Sequence, residues 1–149
     1  MQRVIIESPY AGDVEENTSY ARACMRDCLE RGEAPYASHL LYTQPGVLDD
    51  DDPDERAQGI EAGLCWGEKA EKTVVYVDRG ISKGMMQGID RAHKSGREIV
   101  FRSLESGEQA AWDEEILFLM GPREESTTAE EERTRLDRVV RQALDAEDL

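Results

Sequence analysis

The segment Asp78-Arg79-Gly80-Ile81-Ser82-Lys83-Gly84-Met85 gathers residue types that suit an anion or sugar site. Gly80 and Gly84 permit close backbone approach. Ser82 can cap a following helix, whose unpaired N–H groups and positive dipole end favour a phosphate or similar anion. Asp78 can accept hydrogen bonds from sugar hydroxyls or base amines. By itself the segment also reads as an ordinary turn with a serine cap. The phosphate-loop pattern G-x-x-x-x-G-K-[ST] and the dinucleotide pattern G-x-G-x-x-G are both absent.

Two further segments carry candidate contacts. Ser8-Pro9-Tyr10-Ala11-Gly12 holds a tyrosine that can stack on a base or hydrogen-bond a carboxylate, and that simple packing explains equally well. Ser38-His39 places one of the two histidines near the same expected cleft, whereas His93 reads as structural. Two histidines so far apart suggest no metal centre. Neither a Ser-His-Asp nor a Cys-His arrangement is legible, and G-x-S-x-G is absent. Among the many carboxylates, Glu61 and Asp90 fall within helical patterns from which either could reach a cleft as nucleophile or general acid. On so acidic a chain the solvated-face reading comes first for each.

The formal net charge of -15 argues against a nucleic-acid backbone or an anionic membrane as partner, since both need clustered Lys and Arg. Cys24, Cys28 and Cys65 are odd in number and not at metal-ligand spacing, which suits small core residues in a reducing compartment. The N-terminus opens directly into Val4-Ile5-Ile6, no apolar run approaches a membrane span, and a cytoplasmic protein is expected.

The elements that must position these residues alternate. Strands are expected at Val4–Glu7, Pro35–Ser38, Thr73–Val77 and Ile99–Phe101. The second strand leads into a loop that begins at His39. A helix carries Ala21, Cys24, Met25, Cys28 and Leu29 as its apolar stripe and ends at Gly32. A second starts at Asp52-Pro53, cap and first-turn proline, and runs to about Trp66. A third runs from Ser82 to about Lys94. This alternation predicts an α/β fold with a doubly wound parallel sheet. In such sheets ligands sit at the carboxyl ends of the strands, so the three loops named above converge on one cleft. Beyond them, Trp112–Met120 is apolar and of uncertain type. Ser126-Thr127-Thr128 with Glu130 and Glu131 is a capping-box start for a terminal helix bearing Leu136, Val139, Val140, Ala143 and Leu144.

Taken in order, Ser8-Pro9-Tyr10 with Gly12-Asp13 and Asn17, then Ser38-His39-Leu40-Leu41-Tyr42, then Asp54-Glu55-Arg56 with Gly59-Ile60-Glu61-Ala62-Gly63-Leu64, then Gly80-Ile81-Ser82-Lys83-Gly84-Met85, resemble the nucleoside 2-deoxyribosyltransferase-like superfamily, and within it a phage and bacterial branch mostly of unknown function. The resemblance covers Val4 to Leu104. It implies a flavodoxin-like domain over 1–104, with 105–149 as an extension whose terminal helix packs on the domain or on a partner subunit. It also implies a homo-oligomer, a nucleoside or nucleotide ligand and no cofactor. Enzymes of the superfamily break the N-glycosidic bond of deoxynucleosides or their 5′-monophosphates through a nucleophilic glutamate. By resemblance, Tyr10 positions that nucleophile, Glu61 helps handle the leaving base, and Ser82 binds a 5′-phosphate. Pro9, Gly12, His39, Asp78, Gly80, Gly84 and Met85 complete the expected binding loops. One departure stands out. Ser82-Lys83-Gly84-Met85-Met86-Gln87-Gly88-Ile89 has Gly88 where the family carries its nucleophile. Asp90 lies two residues on, turned by about 200° around a helix. Either another carboxylate, Glu61 or Glu7, serves instead, or the protein binds a nucleotide without covalent chemistry.

Overall fold

In the computed structural model, residues 1–107 and 109–111 are described. Nine elements follow one another: β1 (Gln2–Glu7), α1 (Val14–Glu30), β2 (Glu33–Tyr36), α2 (Ser38–Leu41), α3 (Pro53–Gly67), β3 (Lys72–Tyr76), α4 (Lys83–Lys94), β4 (Glu98–Arg102) and β5 (Gln109–Ala111). The sheet order is β2-β1-β3-β4-β5. The first four strands are parallel and β5 is antiparallel to β4. This is the flavodoxin-like winding, with its switch point between β1 and β3. The sheet takes in Gln109–Ala111, past residue 104. The apolar piece Trp112–Met120 and the terminal helix expected after Ser126 lie outside the described residues.

Local sequence explains where the helices begin. Asp13 caps α1 by accepting from the Glu16 N–H at 3.1 Å, and Asp52 caps α3 by accepting from the Asp54 and Glu55 N–H groups with Pro53 at the first position. Ser82 caps α4 by accepting from the Met85 N–H at 3.3 Å. The second strand comes two residues earlier than expected, because β1 pairs Gln2 with Glu33 and Ile5 with Tyr36. Pro35 is tolerated there because β2 is an edge strand. Ser38 then opens the short helix α2 rather than ending a strand.

The two faces of the sheet bury different clusters. Val4, Ile6, Val74, Tyr76 and Val100 pack against Tyr20, Cys24 and Cys28 of α1. Val75, Ile99 and Phe101 pack against Met85, Ile89 and Ala92 of α4. Leu29, expected on the α1 stripe, is 50% exposed, being one 100° step beyond buried Cys28. Cys24 and Cys28 are buried and unpaired, but Cys65 is exposed rather than a core residue. On the α1 face a buried ionic cluster joins β2 to the far edge. Arg102 Nη1 donates to Glu33 Oε1 at 2.9 Å and to the Tyr76 hydroxyl at 3.1 Å, while Arg102 Nη2 donates to Gln109 at 2.9 Å. Among the described residues no helix is long and apolar enough to cross a membrane, and no cluster of His, Cys, Asp and Glu could hold a metal ion.

Candidate active site

Side-chain alternation along β1 sends Ile5 and Glu7 to the face covered by α3 and α4, opposite Val4 and Ile6. In register, Ile5 lies beside Thr73 and Glu7 beside Val75. Helix α3 approaches this face through glycines spaced by four. A Cβ on Gly63 would stand 2.7 Å from Ser38 Cβ, and one on Gly67 would stand 2.6 Å from Ile5 Cδ1. Gly59, Gly63 and Gly67 therefore form a smooth stripe that admits close packing, and that spacing was visible in the sequence.

Between the sheet, α2, α3 and α4 lies a cavity of about 360 Å³, within the usual range for small-molecule sites. Its wall brings together the three expected loops. Ser8 and Tyr10 come from the end of β1, Ser38 and His39 from the start of α2, and Ser82, Gly84, Met85 and Gly88 from α4. The Tyr10 and His39 rings meet edge to face at 6.2 Å. His39 Nε2 shares a 2.8 Å hydrogen bond with Ser8 Oγ. Burial pushes the His39 imidazole down to about 4, so it is neutral at pH 7. Tyr42 and Arg56, named above only within the motifs that carry the resemblance, also line the cavity, as do Tyr36 and Arg97, which sequence reasoning did not single out. No local pattern marks Tyr36 or Arg97, because their common side is set by packing.

The expected carboxylates are elsewhere. Glu61 is exposed on α3 and does not line the cavity. Asp90 is exposed on α4 and pairs with Lys94 at 2.7 Å. Asp78, expected to meet ligand, is engaged in the fold. It accepts from Tyr20 Oη at 2.5 Å, Ser103 Oγ at 2.6 Å, and the Leu104 and Glu105 N–H groups at 2.9 and 3.1 Å. Burial opposes its ionisation, but these hydrogen bonds prevail and hold the carboxyl below its ordinary value. Asp78 thus clips the turn after β4 to the tip of β3. Pro9, Gly12 and Gly80 do not line the cavity either, and Gly12 and Gly80 serve turns at positive φ.

Among the described residues three carboxylates line the cavity, Glu7, Asp50 and Glu55, and Glu7 is the one carried by the sheet. A Cβ built on Gly88 would overlap Glu7 Oε1 and lie 2.9 Å from Oε2. The glycine at position 88 is thus the space into which the Glu7 carboxyl fits. Burial pushes this carboxyl up to about 8, against the opposing pull of the Arg97 guanidinium. Arg97 is anchored by a 3.2 Å hydrogen bond from Nη1 to Thr73 Oγ1, on the same sheet face. Removing its charge in Arg97→Met is expected to raise the Glu7 value further, while Arg97→Lys largely preserves it. A pH titration of the Glu7 carboxyl by carbon NMR checks this. An unmoved midpoint in Arg97→Met would refute the coupling.

A model of a domain of unknown function, DUF7768, matches residues 2–102. The chain belongs to this family. No curated protein matches it by sequence. Among solved structures, this chain's fold is similar to that of a 2-deoxyribosyltransferase from Bacillus psychrosaccharolyticus, with a TM-score of 0.55 and 13% identity over 68% of this chain and 72% of that one. A CMP N-glycosidase from Clostridium botulinum matches with a TM-score of 0.43 and 14% identity over 68% of this chain and 71% of that one. The first likeness shows that this DUF7768 member shares its α/β architecture with that 2-deoxyribosyltransferase. At such identity it speaks of fold.

Proposed function

We propose that the protein binds a 2′-deoxynucleoside or its 5′-monophosphate and cleaves or transfers at the N-glycosidic bond, with no cofactor. The observation that carries this reading is the cavity itself. Tyr10 and His39 offer a ring wall for a base on one side, the Ser82-capped start of α4 offers N–H groups for an anion on another, and a carboxyl stands on the wall beside them. Phosphate recognition would draw on Ser82 and the neighbouring Lys83, both on the cavity wall. The resemblance in motif order and the architecture shared with a 2-deoxyribosyltransferase support the same substrate class. Self-association belongs to this reading as well, and light scattering would measure it.

The test incubates the protein with the four common 2′-deoxynucleosides and their 5′-monophosphates, following free base by chromatography and binding by calorimetry. At least one member is expected to bind and to release base. Binding without base release over a long incubation would leave a nucleotide-binding protein on the same fold. No binding by any member would end the reading altogether.

A further inference from the structure

If the chain breaks N-glycosidic bonds as proposed above, we infer that the attacking group is the carboxylate of Glu7, delivered from the end of β1 into the space that a side chain at position 88 would fill. The inference rests on that reaction class and adds the residue that performs it.

Four observations point to Glu7. First, the volume above Gly88 is occupied by both oxygens of this carboxyl, and any side chain on α4 at that position would exclude it. Strand and helix are therefore complementary: Glu at 7 requires Gly at 88. Second, Glu7 is the last residue of β1, a strand at the switch point of the sheet, where a ligand entering from the carboxyl ends of the strands must pass. Third, the competing carboxylates among the described residues are turned away or engaged. Glu61 and Asp90 lie outside the cavity wall. Asp50 and Glu55 line it, but Asp50 pairs with Arg56 at 3.1 Å and Glu55 accepts from the Asp49 N–H. Fourth, Tyr10 follows three residues after Glu7 and also lines the cavity, so the strand end presents carboxyl and ring together.

The step balances without a further reagent. Ionised Glu7 attacks the anomeric carbon with one carboxylate oxygen. The bond from that carbon to the base nitrogen breaks, its electron pair leaves with the base, and the base takes a proton from water. A covalent deoxyribosyl ester on Glu7 results. Water, losing its own proton, or the nitrogen of a second base then attacks the same carbon, and the ester bond breaks to return the carboxylate.

The proton on Glu7 shapes the pH dependence. Besides Glu7, the charged or titratable groups lining the cavity are Tyr10 after β1, Tyr36 of β2, His39 and Tyr42 of α2 and its end, Asp50 ahead of α3, Glu55 and Arg56 of α3, Lys83 and Arg91 of α4, and Arg97 ahead of β4. Of these, Arg97 is the one with a resolved pull on Glu7. With the carboxyl titrating near 8 and only its ionised form reactive, kcat/KM should rise about tenfold per pH unit below that value and level off above it.

The deciding experiment measures base release from the eight deoxynucleosides and monophosphates by wild type, Glu7→Gln, Glu7→Gly and the exchange variant Glu7→Gly/Gly88→Glu. Calorimetry with the same compounds shows that each variant is folded and binds. Glu7→Gln should lose base release by at least about 1,000-fold, as loss of a nucleophile does, while retaining binding. The exchange variant, which returns a carboxylate to the same volume from α4, should recover at least about tenfold over Glu7→Gly. Acid-quenched wild type should carry one deoxyribosyl unit on the peptide containing Glu7. Base release by Glu7→Gln within tenfold of wild type, or an adduct on another peptide, would overturn the assignment and leave the glycosidic reading standing. Absence of base release from wild type with every compound would overturn both.

Discussion

Replacing Glu33 with alanine is expected to destabilise the protein by about 3–5 kcal/mol, the usual cost of stranding a buried charge. Arg102 is 2% exposed and Glu33 6% exposed, so neither can turn to water for a substitute partner. Their bidentate contact, at 2.9 and 3.3 Å, ties β4 to β2 across the two strands between them. Lys72 of β3 reaches Glu33 at 3.7 Å, and the Arg102 guanidinium stacks over the Tyr76 ring at 5.7 Å. With Glu33 gone, Asp27 remains at 3.8 Å from Arg102, a longer and more solvated contact. Urea unfolding monitored by circular dichroism measures the loss as a lower midpoint at an unchanged slope. Replacing both members, as in Glu33→Leu/Arg102→Met, should recover most of it, because the desolvation penalty then disappears with the charges. A loss below about 1 kcal/mol in Glu33→Ala would show that the cluster is hydrated in solution and does not hold the sheet edges.

Glu7→Gln is expected to stabilise the protein, and increasingly so as pH rises. Below pH 4.5 the carboxyl is protonated in the folded and unfolded chain alike, and the substitution has little effect. Between 4.5 and about 8 the unfolded chain loses this proton while the folded chain keeps it, so ionisation favours unfolding. Above about 8 the penalty is complete. At about 1.4 kcal/mol for each tenfold difference in proton affinity, the change from 4.5 to about 8 amounts to at most about 4–5 kcal/mol. Glutamine has nearly the same shape and carries no such penalty. Unfolding measured at pH 5, 7 and 9 should therefore show wild type and Glu7→Gln close together at pH 5 and clearly separated at pH 9. A constant difference across the three values would contradict a carboxyl held protonated. The combination of a more stable and less active variant is what a reacting group kept in an unfavourable environment should give.

The same residue separates what was legible in the sequence from what was not. Strand and helix alternation, the caps at Asp52 and Ser82, and the placing of three loops at one cleft all follow from local chemistry and from the rule for parallel sheets, and the structure has them. The resemblance in motif order likewise led to the right architecture. Local chemistry could not distinguish one acidic residue from another. Glu61 and Asp90 sit in helical patterns that could have faced the cavity, but the close approach of α3 along its glycine stripe and the buried face of α4 at Met85, Gly88, Ile89 and Ala92 turn both outward. Asp78 stands at a strand end, where ligand contacts are common, and the turn after β4 takes it instead. Gly88, read alone, is a missing side chain. Only the tertiary structure sets the strand end of β1 against the second turn of α4, so only there does that glycine become the space filled by Glu7. Sequence patterns record what each residue offers its neighbours along the chain. Which residue fills the space left by a distant one is decided by packing between elements, and for this protein that packing decides which carboxyl stands at the cavity beside α4.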